Sequence, residues 1–98
     1  MALNELARSL INENIDFAIK DIPRMILLFR QPEMKSEIQY KDETDFILGL
    51  MWGRTTMIFS TNFKYIFKRK LTAEEEDEVN MILLKRIREL RKAIFSIG

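Results

Sequence analysis

Residues 40–80 read YKDETDFILGLMWGRTTMIFSTNFKYIFKRKLTAEEEDEVN. Charge is sorted within this stretch. Arg54, Lys64, Lys68, Arg69 and Lys70 precede Leu71, and Glu74, Glu75, Glu76, Asp77 and Glu78 follow it without a break. Aligned peptide dipoles favour cations at the C-terminal end of a helix and carboxylates at the N-terminal end. Thr72 and Glu75 have the T-x-x-E spacing of a capping box. The pattern therefore predicts two long helices, 42–70 and 72–97, joined by a turn of about two residues. A connection that short makes them antiparallel neighbours. Asp42 and Asp45 suit the start of the first arm.

Upstream, Leu3, Leu6, Ala7, Leu10, Ile11, Ile15, Ala18, Ile19 and Ile22 recur at helical spacing and predict an amphipathic helix over 3–22. Proline lacks an N–H and clashes with the preceding turn. Pro23 therefore predicts a break, with Asp21 capping a short helix over 23–30. Pro32 ends that helix. Residues 31–41 read as a loop. The expected fold is all-α: a small helical bundle built on a long hairpin, forming a single domain over 1–98.

The chain has 98 residues, 47% of them hydrophobic, and a net charge of +1. Cysteine and histidine are absent. That removes disulfides, thiolate metal sites, and the commonest general base and metal ligand. There is no Ser-His or Cys-His pair, no glycine-rich phosphate loop and no metal-ligand spacing. Within the acid run, helical geometry lets at most a pair such as Glu74 and Glu78 converge. The reading expects no enzyme, no catalytic residue, no cofactor and no metal.

The distribution of charge says more than its sum. Residues 1–45 carry 6 basic and 9 acidic side chains, and residues 79–98 carry 5 basic and 1 acidic. Any cationic surface belongs to the second half. Abundant Glu, Lys, Arg and Ile lean toward a thermophilic source. The opening Met1-Ala-Leu-Asn-Glu has no cationic n-region and no apolar h-region, so no leader is expected. The most apolar stretch, 46–67, contains Arg54 and Lys64, which argues against a transmembrane span. The expected location is cytoplasmic.

Two surfaces stand out as candidates for binding. On the helix 42–70, Gly49, Gly53, Thr56 and Ser60 fall on one stripe, flanked by Trp52 and followed closely by Arg54. Glycine in mid-helix costs about 1 kcal/mol unless another backbone comes close. Gly49, Trp52, Gly53, Arg54 and Thr56 are therefore the expected partner interface, and the close neighbour is a helix of this chain or of a second copy. Arg54 lies among Ile47, Leu50, Met51, Met57, Ile58 and Thr61 and needs an acid, with Asp16, Glu43 and Asp45 as its expected partners. The second surface is cationic: Lys64, Lys68, Arg69 and Lys70 around the turn, and Lys85, Arg88 and Lys92 along the last helix. It suits nucleic acid or an acidic partner. Leu83, Ile87, Leu90, Ile94 and Ile97 form the opposing seam, with Asn80 one step before it.

The functional expectation is a non-catalytic protein–protein interaction module or small accessory subunit, self-associating as a homodimer. The apolar inventory exceeds what three helices hide. The alternative is a DNA-binding or other nucleic-acid-associated accessory protein of a replication or transcription complex.

Overall fold

The structure, a computed structural model, describes residues 2–97. It is an all-α bundle of five helices: α1 (Glu5–Phe29), α2 (Pro32–Ile38), α3 (Glu43–Phe67), α4 (Ala73–Lys85) and α5 (Ile87–Phe95). Each long helix starts on a side-chain cap. Asn4 accepts from the Ala7 N–H at 2.8 Å, and Asp42 from the Asp45 N–H at 2.9 Å. Thr72 and Glu75 form the full capping box, with the Thr72 N–H donating to Glu75 at 2.8 Å and the Glu75 N–H to Thr72 Oγ1 at 3.1 Å. These bonds satisfy N–H groups that the first turn of a helix leaves free.

Cross-helix contacts define the topology. Arg30 at the end of α1 binds Glu43 at the start of α3, at 2.6 and 2.7 Å. Further along the pair, Arg54 binds Asp21. So α1 and α3 run antiparallel. The Leu3 N–H donates to Glu78 at 3.0 Å, and Arg86 donates to Asn12 O at 3.2 Å and to Asp16 at 2.6 Å. So α4 and α5 run parallel to α1, and α3 lies antiparallel to both. The bundle measures 42 × 24 × 19 Å.

The core is one layer between the three long elements. It contains Leu3, Ala7, Ile11, Ile15, Ala18, Ile22 and Ile26 from the first segment, Ile47, Met51, Phe59 and Phe63 from α3, and Val79, Leu83, Leu90 and Ile94. Full burial of each large side chain contributes about 1.5–3 kcal/mol. The seam expected on the last helix is present: Leu83, Leu90 and Ile94 are buried, and Ile87 and Ile97 pack beside them. Asn80, one step before it, is exposed.

Four boundaries differ from the sequence reading, two for tertiary reasons and two for local ones. α1 runs straight through Pro23 with no break at 21–23. Pro23 faces solvent, while Ile22, Met25 and Ile26 are buried and hold the chain helical. Asp21 does not cap a second helix; it binds Arg24 at 2.7 and 2.9 Å and also binds Arg54. Residues 31–41 are not all loop, since Pro32 is the first residue of α2, where its missing N–H costs nothing. α3 ends at Phe67 rather than at residue 70, because Lys68 takes a left-handed conformation (φ 60°) that closes the helix. The arm 72–97 is two helices. Arg86 (φ −105°, ψ 9°) departs from helical geometry between them while its guanidinium is anchored on α1.

Candidate partner interface

On α3 the buried residues Ile47, Met51, Thr55, Phe59 and Phe63 recur every four positions. The opposite side carries Gly49, Gly53, Met57 and Ser60, all exposed, with Thr56 half-buried beside them. A methyl group added at Gly49 or at Gly53 would meet nothing within 4 Å. No described helix of this chain therefore covers the small-residue stripe. Among the neighbours the sequence reading allowed, a helix of the same chain is excluded.

Beside the stripe lies a hollow between α3 and α4. Thr56, Met57 and Ser60 from α3 face Leu71, Glu76, Val79 and Asn80, enclosing an open groove of about 300 Å³. The Trp52 indole N–H donates to Asn80 Oδ1 at 3.3 Å across the two helices. The Thr56 hydroxyl donates to the backbone carbonyls of Trp52 (3.1 Å) and Gly53 (2.9 Å), so its polar atom is satisfied within its own helix. Met57 is 63% exposed. The groove is open and mixed in character, with Met57, Leu71 and Val79 as its apolar lining and Thr56, Ser60, Glu76 and Asn80 as its polar lining.

Four of the five expected interface residues come together here: Gly49, Trp52, Gly53 and Thr56. Arg54 does not join them. It points to α1, where it binds Asp21, an acid the sequence reading did not name. Asp16, Glu43 and Asp45 take other roles: Asp16 binds Arg86 and Glu43 binds Arg30. The Arg24 guanidinium, aided by Arg54 and opposed by burial, holds the Asp21 carboxyl down at about 2. Met57, placed by the sequence reading on the Arg54 face, lies on the glycine face instead.

The expected cationic residues divide into two groups. Around the α3–α4 turn, Arg69 makes a double hydrogen bond to the buried Glu75 (2.7 and 2.9 Å) and lies 5.0 Å over the Phe63 ring. That bond, against opposing burial and with the Thr72 N–H, holds Glu75 at about 2. Lys68 sits 4.7 Å over the Tyr65 ring. Lys64 and Lys70 are exposed and share a second hollow with Ser60, Thr61, Leu71 and Glu76. Lys85, Arg88 and Lys92 are exposed, as is Arg91. The acidic first turn of α4 separates the two groups, so they form no single basic surface.

The exposed apolar residues Met81, Leu84 and Phe95 escaped the sequence reading. Their spacing was visible, but the Leu83 seam beside them has the same period and claimed the helix. Among the described residues no cluster of three or more metal-binding side chains occurs, and no helix is long and apolar enough to cross a membrane. Comparison with protein-family models, with curated proteins and with solved structures finds no match to this chain.

Proposed function

We propose that this chain is a non-catalytic helical interaction module, an accessory subunit that docks a protein partner on its α3 face and self-associates. The observation that carries this reading is the open space over Gly49 and Gly53. Each glycine weakens α3 by about 0.5–1 kcal/mol relative to alanine. Among the described residues, nothing uses the space their missing side chains create. Close approach of a partner helix gives that space a use. Met57 and the half-buried Trp52 supply apolar and aromatic anchors at the same place. The absence of histidine and cysteine supports the non-catalytic part.

A photo-crosslinking side chain in place of Thr56 tests the docking face. The expected result is a discrete covalent adduct with a protein that is lost when Gly53→Leu fills the stripe. An adduct indifferent to Gly53→Leu, or none at all, overturns the reading.

The nucleic-acid alternative keeps Lys64, Lys68, Lys70, Lys85, Arg88 and Lys92, all exposed, while Arg69 is held by Glu75. Its signature is oligonucleotide affinity that falls steeply with salt.

A further inference from the structure

The outer side of α4 and α5 carries a second pattern. Glu74, Asp77, Met81, Leu84, Arg88, Arg91 and Phe95 follow one another at alternating intervals of three and four, and all seven are exposed. That is the spacing of a heptad seam, turned toward solvent. Its order is two acids, two apolar residues, two arginines and an aromatic. The acids stand as far before the Met81–Leu84 pair as the arginines stand after it. Met81 is 52% exposed and Leu84 53%. Asp77 and Arg88 are exposed as well.

We propose that this stripe is a homodimer interface in which the α4–α5 arm packs antiparallel against the same arm of a second copy. An antiparallel two-fold about the Met81–Leu84 midpoint places Met81 against Leu84 of the other copy. The same operation places Asp77 against Arg88 and Glu74 against Arg91, each twice. A two-fold interface must be self-complementary, and this order of residues meets that requirement in each of these pairs. A parallel pairing would set acid against acid and arginine against arginine, which is destabilising. A polyanion such as nucleic acid would have to cross Glu74 and Asp77 to follow the stripe, whereas a second copy uses both signs of charge.

This inference rests on the self-association part of the proposed function but uses a surface distinct from the glycine face, so the two can fail separately. The test is a charge swap followed by light scattering. Wild type is expected to be dimeric. Asp77→Arg and Arg88→Glu, each alone, weaken the dimer by about tenfold or more, because each sets like charges together twice. Mixing the two variants restores dimers, since every acid at positions 77 and 88 then faces an arginine on the other chain. The double variant D77R/R88E is dimeric by itself. Unchanged far-UV circular dichroism confirms that the variants fold. A wild type that stays monomeric at about 1 mM, far above the micromolar range of ordinary specific pairs, overturns the proposal. So do single variants that stay dimeric, or a mixture that stays monomeric. A monomeric wild type whose oligonucleotide binding is lost in R88E overturns it in favour of a polyanion.

Discussion

Arg54 donates to the Asp21 carboxylate and ties the middle of α3 to the second half of α1. Both side chains are mostly covered, with Asp21 11% and Arg54 28% exposed. A pair in that position is costly to break from one side, because the remaining charge keeps its burial and loses its partner. Asp21→Asn and Arg54→Met should each destabilise the fold by about 1–3 kcal/mol in urea titrations. A double-mutant cycle should show coupling of about 1–2 kcal/mol. Additive effects would mean the contact carries no stability.

Acid should unfold the protein through two carboxyls in particular. Asp21 and Glu75 are held at about 2, below ordinary values of 3.8 and 4.5. A folded value below the unfolded one means the stabilisation is complete above about pH 4.5 and is lost as pH falls toward 2. Each shift corresponds to about 1–2 kcal/mol once the exposure of Arg24 and Arg69 is allowed for. Glu75→Gln keeps a side-chain acceptor for the Thr72 N–H but removes the charge. Its stability should therefore fall less steeply between pH 4.5 and 2 than that of wild type, measured by thermal melts across that range.

Thr72→Ala removes one half of the capping box. The expected cost is about 1 kcal/mol. The Thr72→Ala/Glu75→Ala pair should be less than additive, because each residue satisfies an N–H of the other. Chemical denaturation of the two single variants and the double variant decides it.

Pro23→Ala should stabilise the monomer. Pro23 is exposed inside a continuous helix, so its cost is a missing backbone hydrogen bond and the strain of its ring. A gain of about 1–3 kcal/mol is expected from helix propensity, read as a raised midpoint of thermal unfolding. A loss would mean that the fixed φ of Pro23 helps to seat Ile22 and Ile26.

Gly53→Ala separates stability from binding. With open space at the added methyl, the monomer should gain about 0.5–1 kcal/mol. The partner adduct formed at position 56 should weaken in the same variant, because the methyl intrudes on a close helix approach. Stabilisation with undiminished crosslinking would show that the glycines are not used.

The helical class and the caps at Asp42 and Thr72 were legible in the residue pattern, because capping and dipole effects act within one turn of chain. So was the buried seam of Leu83, Leu90 and Ile94, since burial on one face leaves a period that a single helix records. The fate of Pro23 was not legible. Local propensity argues for a break there, and only the packing of Ile22, Met25 and Ile26 against the bundle overrides it. The partner of Arg54 was equally hidden, because Asp21 lies 33 residues away and meets it only through the α1–α3 register. The stripe Gly49–Gly53–Thr56 was visible as a spacing, but whether a helix of the same chain covered it depended on where α4 came to rest. Sequence alone determined the helical class, the caps that start α3 and α4, and the charge each segment carries, because those effects act within a turn of chain. Tertiary structure alone decided which of the remaining faces meet solvent, because that depends on how three helices share one core, and no single segment records that division.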